Sequence, residues 1–150
     1  MGKETSKTVR TLTESDLPWL LPMDEASFPT VWSKAVWQEE LHGRLAHYYA
    51  LLEEDVPFAY GGFWLVAGEA QIMRLAVSPT RRGEGLGIYL METLMQKAKA
   101  LGAAELTLEV REHNTPARRT YLHLGLTECG MRPHYYEDTG ENAILMRCSL

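Results

Sequence analysis

The sequence predicts an α/β (α+β) fold in which a mixed central sheet of about seven strands is flanked by about four helices. Two observations carry that expectation. Segments with alternating apolar residues take turns along the chain with segments whose apolar residues fall three and four apart. Within that order, residues 72–110 run strand, glycine-rich loop, helix, strand. Such a β-α-β crossover is right-handed and joins parallel strands. No internal repeat, low-complexity tract or shift of composition marks a second domain. A length of 150 residues suffices for one domain with a real core. Residues 1–7 are therefore read as a flexible tail and residues 8–150 as one domain.

Each element has its own local signal. Thr8 to Leu12 reads as a short strand, and Thr13-Glu14-Ser15-Asp16 opens a helix with Thr13 or Ser15 as its cap. That helix ends within Met23 to Pro29. Ser33 is placed to cap a second helix from Lys34 to Gly43, with Val36, Trp37 and Leu41 on its apolar face. Ala46 to Glu53 and Phe58 to Ala67 are strands, the latter with a bend or bulge at Gly61-Gly62. Ala70 to Val77 is the next strand, stopped by Ser78-Pro79-Thr80. Leu86, Leu90, Leu94, Ala98 and Leu101 then recur at helical spacing, with Met91 and Met95 widening the stripe and Gly102 supplying the stop. In the strand Glu105 to Val110, Leu106, Leu108 and Val110 face one way and Thr107 and Glu109 the other. Asn114 or Thr115 caps the last helix, Pro116 suits its first turn and Gly125 ends it. Strands around Thr127–Arg132 and Ala143–Arg147 follow, joined by a polar segment that contains Tyr135 and Tyr136.

Composition narrows the function classes. The net charge of −5 argues against a nucleic-acid partner, which needs a basic surface, and weakly favours a cationic one. No apolar run reaches the length of a membrane span. The first residues lack the apolar stretch of a signal peptide. Met1-Gly2-Lys3-Glu4-Thr5-Ser6 fits the loose myristoylation pattern, but a short polar tail meets so permissive a pattern easily, and a frayed end is the preferred reading. Cys129 and Cys148 are expected to be buried free thiols of a cytoplasmic protein. His42 and His47 are off a shared helix face, and His113 and His123 read as surface residues, so no metal site is expected.

The loop after the fourth strand carries most of the functional argument. Arg82-Gly83-Glu84-Gly85-Leu86-Gly87 sheds side chains and leaves backbone N–H groups free, and a helix begins at once, aiming its positive dipole end at the same place. Arg81 and Arg82 add charge. A pyrophosphate suits such a loop; a glycine-rich connecting turn is the bland alternative. A Rossmann site needs its glycines directly after the strand, whereas Ser78 to Arg82 intervene here. A Walker loop needs Gly-Lys-Ser/Thr, which is absent.

Leu75-Ala76-Val77-Ser78-Pro79, followed by Arg82, Gly85 and Gly87, resembles the acetyl-CoA signature of the GNAT superfamily, whose core pattern is Gln/Arg-x-x-Gly-x-Gly/Ala. Leu108 to Asn114, then Tyr121 to Gly125, resemble the RimI branch of ribosomal-protein N-terminal acetyltransferases. So do Phe28-Pro29 with Trp32-Ser33, and Tyr135-Tyr136 with Glu141-Asn142-Ala143. The resemblance spans nearly the whole chain, in order. It implies a single GNAT-type domain using acetyl-CoA, without a metal, to acetylate a protein N-terminus such as that of a ribosomal protein, as a monomer or a homodimer. It further implies that Leu75, Ala76 and Val77 bind the pantetheine arm where two strands splay apart. By the same resemblance Arg82, Gly83, Glu84, Gly85, Leu86, Gly87 and Ile88 hold the pyrophosphate, and Asn114 both caps its helix and touches the cofactor. The sequence departs from the branch at three places. Thr30 and Val31 separate Phe28-Pro29 from Trp32, where the branch usually runs proline into tryptophan. Arg74 stands where asparagine is common, and Leu126 replaces phenylalanine. The first two put acceptor identity in question.

Acyl transfer to an amine needs a neutral amine, a polarised carbonyl and a protonated leaving thiolate. Glu109, near the carboxyl end of its strand, is placed to act as base directly or through water; a solvent-facing glutamate is the plain alternative. An α-amine of pKa about 7.7–8.0 sheds its proton near neutrality for less than roughly 1.4 kcal/mol, against roughly 4–5 for lysine near 10.4. A modest relay therefore serves an N-terminus better than a lysine. Tyr121, which on spacing alone reads as a core aromatic, corresponds by resemblance to the general acid. Phe28, Arg74, Tyr135 and Tyr136 are candidates for the acceptor slot, the aromatic ones serving equally as packing. A small amine, a lysine side chain or an antibiotic is the alternative acceptor, and a non-catalytic acyl-CoA-binding regulator is the alternative class.

Overall fold

The computed structural model describes residues 6–150. All but Ser6 of the myristoylation pattern, and most of the expected tail, fall in residues 1–5, outside the described residues. Seven strands form one sheet: β1 (Lys7–Thr11), β2 (Ala46–Glu53), β3 (Val56–Val66), β4 (Glu69–Val77), β5 (Glu105–Arg111), β6 (Thr127–Tyr136) and β7 (Glu141–Ser149). The four helices are α1 (Leu17–Ser27), α2 (Lys34–Leu41), α3 (Leu86–Ala100) and α4 (Thr115–His123). The strand order is β1-β2-β3-β4-β5-β7-β6. Every neighbouring pair is antiparallel except β4 and β5. That exception is the crossover through α3, as the β-α-β reading requires.

Two apolar layers cover the sheet. On one face α3 packs Leu90, Met91 and Leu94 against Leu51, Phe63 and Leu106, and Tyr121 of α4 with its C-cap Leu124 adds to the margin. On the other, Leu17 and Leu20 of α1 and Trp37 of α2 meet Tyr48, Tyr60 and Ala76. Helix ends follow the caps. Ser33 Oγ accepts from the Val36 N–H at 3.2 Å, and Asn114 Oδ1 accepts from the Ala117 N–H at 3.3 Å. Thr13 caps a single 3-10 turn, Glu14–Asp16, that precedes α1.

Two irregularities place the site. The first lies at the glycine pair. A side chain on Gly62 would come within 2.2 Å of the Tyr48 ring, so only glycine fits. Gly62 pairs with Arg74 and Phe63 with Ile72, which leaves Met73 as an extra residue in β4. The expected bulge is present, but the additional residue belongs to β4. A bulge breaks the in–out alternation locally. Met73 packs toward α1 and α2, and Arg74, next to it, also reaches α1. The second irregularity is a divergence. β4 and β5 pair only where Glu69–Gln71 face Glu105–Thr107. Beyond that, β4 stays with β3 as far as Val77 and β5 stays with β7 as far as Arg111, so the sheet opens between their carboxyl ends.

Some expectations need correcting. Cys129 is exposed and Cys148 half-buried, so neither is a core thiol. Val36 and Leu101 are also exposed, at the rims of their helical stripes. β6 runs through Pro133 to Tyr136, so Tyr135 and Tyr136 lie on a strand and not in a connecting segment. It tolerates proline because it is an edge strand with interrupted pairing. No helix among the described residues is long and apolar enough to cross a membrane.

Candidate active site

The loop from β4 to α3 is built by glycine geometry. After a turn at Pro79–Arg81 the chain needs positive φ at Gly83 (85°) and Gly85 (75°), conformations that other L-residues resist. Gly85 is the N-cap of α3, and no side chain caps the helix. Its first N–H groups thus lack an internal acceptor; the Tyr89 N–H reaches Gly85 O at 3.4 Å. Gly87 is different. Its φ is ordinary, and a Cβ there would meet nothing within 4 Å. Nothing inside the protein demands glycine at this point, whereas a ligand lying against the first turn does. Free donors, a helix dipole and an unfilled space beside Gly87 fit a bound pyrophosphate. Arg82, Glu84 and Ile88 surround this turn, and Leu86 anchors it in the core.

The two arginines divide their work. Arg81 bonds Glu84 at 2.9 Å and Glu53 at 2.9 Å and lies 5.1 Å from the Phe58 ring centroid. It fastens the loop to the sheet and brings no net charge for a ligand. Arg82 is exposed and, among the described residues, donates only to Ser27 Oγ, at 3.1 Å, so it is a cation available to an anion.

The divergence of β4 and β5 leaves one edge of Leu75, Ala76 and Val77 without a strand partner. On β5, Leu106, Leu108 and Val110 enter the α3 face, so alternation turns Glu109 to the opposite face. There Arg132 approaches Glu109 at 3.4 Å, and burial together with the Glu109 charge pushes the Tyr135 hydroxyl above its ordinary range. Tyr121 packs on the α3 side with the cluster that includes Val77, Leu108 and Val110. Burial pushes its hydroxyl above the ordinary tyrosine range, so it carries its proton at neutral pH. The two residues expected to exchange protons therefore stand on opposite faces of β5, beside the opened edge. Asn114 keeps its place at the start of α4.

The face that carries Glu109 is walled by aromatics. Tyr135 and Tyr136 meet edge to face, 5.1 Å between centroids. Tyr136 is pushed up to about 12 by burial and the Glu109 charge, while Arg111, 4.0 Å above its ring, pulls the other way. Arg111 is itself held by Asp138 at 3.0 Å. Phe28 is the C-cap of α1, on the face that α1 and α2 cover. Arg74 is 9% exposed, and its guanidinium pairs with Asp24 through bonds of 2.7 and 2.8 Å. Asp24 is fully buried and also accepts from Tyr60 and, at 3.4 Å, from the Trp37 ring N–H. Asp24, Tyr60 and Arg132 carry no signal in the sequence that marks them for the site. An aspartate within α1 reads as solvent-facing, and its partner is 50 positions away.

The acetyltransferase (GNAT) family model matches residues 12–126. A Bacillus subtilis (strain 168) protein, whose name as a ribosomal protein bS18-alanine N-acetyltransferase is provisional, is 33% identical over 144 residues, 95% of each chain. The ribosomal protein bS18-alanine N-acetyltransferase of Escherichia coli (strain K12) is 30% identical over 141 residues, 93% of this chain and 95% of its own. The crystal structure of the ribosomal-protein-S18-alanine N-acetyltransferase from Escherichia coli superposes with a TM-score of 0.87 at 29% identity, covering 96% of this chain and 94% of that one. Similar in sequence and fold over nearly its whole length, the chain belongs to the acetyltransferase (GNAT) family and is an N-acetyltransferase, for which acetyl-CoA is the implied cosubstrate.

Proposed function

We propose that this enzyme acetylates the N-terminal α-amine of a protein, with a ribosomal protein of the bS18 type as acceptor, by direct transfer from acetyl-CoA. The observation that carries this reading is the placing of Glu109 and Tyr121 on opposite faces of β5, beside the edge where β4 and β5 part. Acetyl-CoA supplies the activated acyl group. The residues of this chain do the rest. Arg82, the first turn of α3 and Asn114 hold the cosubstrate, and the free edge of Leu75 to Val77 orients its arm. Glu109, directly or through water, takes a proton from the amine entering between Phe28 and the Tyr135–Tyr136 pair. The neutral amine nitrogen then bonds the acetyl carbon as the C–S bond breaks, Tyr121 gives its proton to the sulfur, and the nitrogen's surplus proton leaves through water, which restores the Tyr121 hydroxyl. The acid and base work from two sides, which suits one step in a ternary complex. The names of the relatives support the acceptor, and the small cost of deprotonating an α-amine agrees with it.

The test is CoA release from acetyl-CoA with a short peptide beginning with free alanine, against a matched peptide blocked at its N-terminus and carrying lysine. Release with the first alone is expected. Release with the second alone, or with neither while acetyl-CoA binds, overturns the proposed acceptor.

A further inference from the structure

Between α1 and α2 the chain passes through Phe28, Pro29, Thr30, Val31 and Trp32 with no regular structure. A segment of this kind, with Pro29, Thr30 and Val31 exposed, has little of its own to hold it against the sheet. Phe28 and Trp32 pack on the core at its two ends, Trp32 against Trp37 with 5.0 Å between centroids, and one polar side chain ties both ends to the middle. The Arg74 guanidinium carbon lies 3.8 Å from the Phe28 ring centroid and 4.5 Å from that of Trp32, at the two ends of the segment. The same group donates to the Thr30 backbone carbonyl at 2.9 Å, in its middle. Its Nε and Nη2 also donate to Asp24, itself fixed by Tyr60 and Trp37. A planar, five-donor cation can stack and bond in this way at once; asparagine or lysine cannot.

Arg74 and Thr30-Val31 are also the two places where the front of the chain departs from the RimI pattern, and here one bonds the other. We infer that Arg74 is a positioning residue: it locks the lengthened Phe28–Trp32 segment as the front wall of the acceptor slot, so that the arginine and the two extra residues set acceptor selectivity as a unit. Val31, 53% exposed, is the apolar side chain which that locked wall presents to the residues following the acceptor amine. The inference rests on the peptide-acceptor reading. It does not depend on the roles of Glu109 or Tyr121.

The experiment is a double-mutant cycle on the full chain: Arg74→Asn, deletion of Thr30-Val31, and both together. Peptide KM, kcat and acetyl-CoA Kd are measured for each. Each single change is expected to raise peptide KM about tenfold with acetyl-CoA Kd within about twofold, and the combination to stay near about tenfold, because coupled sites are not additive. A combined effect near about a hundredfold, the product of independent sites, overturns the inference. So does an acetyl-CoA Kd that moves in step with peptide KM, the mark of a general structural role. Should Arg74→Asn not fold, Arg74→Lys keeps the charge facing Asp24 but loses the fork and the stack; an unchanged peptide KM in that variant equally overturns it. If the wild-type chain turns over a small amine and no peptide, the acceptor reading fails by itself. The same cycle read with that amine then decides the coupling.

Discussion

The two faces of the sheet are built by different chemistry. The α3 face is an almost wholly apolar layer, and Thr93 is, among the described residues, the one buried polar or charged residue there, its hydroxyl turned back to the Tyr89 carbonyl. The α1–α2 face buries Asp16, Asp24 and Arg74. An apolar layer is forgiving in detail, since any well-packed set of side chains supports the same loop and helix. A buried ion pair admits no such freedom, since removing either partner strands the other. On the proposed reading, the face that holds the cosubstrate is thus generic in construction, and the face that meets the acceptor rests on one particular ion pair.

Substitutions test that contrast. The largest effect is expected from Tyr121→Phe on the apolar face. If the hydroxyl supplies the proton, kcat falls about 10²–10⁴-fold, and acetyl-CoA affinity holds. A loss of a few-fold would return Tyr121 to packing. On the other face, Asp24→Asn leaves Arg74 charged, buried and unpaired, and costs about 3–5 kcal/mol of stability, read by denaturant titration. A loss below about 1 kcal/mol would mean that solvent reaches the pair.

Gly87→Ala separates ligand space from fold. Because a Cβ there meets no protein atom, melting should be unchanged or slightly raised, while acetyl-CoA binding weakens about tenfold, or about 1.4 kcal/mol. Unchanged affinity would remove the first turn of α3 from the binding site. The smallest effect concerns acid. Asp16 is buried, which opposes its ionisation, yet bonds from Arg10, the Thr13 N–H and the Trp19 ring hold it at about 2 against an ordinary 3.8. Its ionised form therefore adds stability that is complete above about pH 4 and drains away as pH falls through about 2. Asp16→Asn should be less stable than the parent at pH 7, and the gap should narrow on acidification. A gap that persists at pH 2 would assign the loss to packing.

What could be read in the sequence follows the same divide. The loop, α3 and the crossover were legible because glycine conformation, helix caps and apolar spacing are local signals. Glu109 was placed on the correct face by alternation alone, and Ser33 and Asn114 as caps by residue type. The Asp24–Arg74 pair was not legible, since a bulge at Met73 turns Arg74 toward α1 and no local pattern reports a partner 50 positions away. The full length of β6 was missed for a related reason. Pro133 signals an end to a strand, and only the sheet order shows that β6 is an edge where proline is tolerated. Cys129 follows from the same fact: a strand outermost in the sheet leaves its thiol in solvent.

Whether acetyl passes to an N-terminal amine is decided by giving the enzyme acetyl-CoA and one peptide that carries both a free N-terminal alanine and an internal lysine, then locating the added acetyl group by fragment mass. Acetyl on the N-terminal fragment alone is the predicted result. Acetyl on the lysine, or an unmodified peptide alongside demonstrated acetyl-CoA binding, would contradict it.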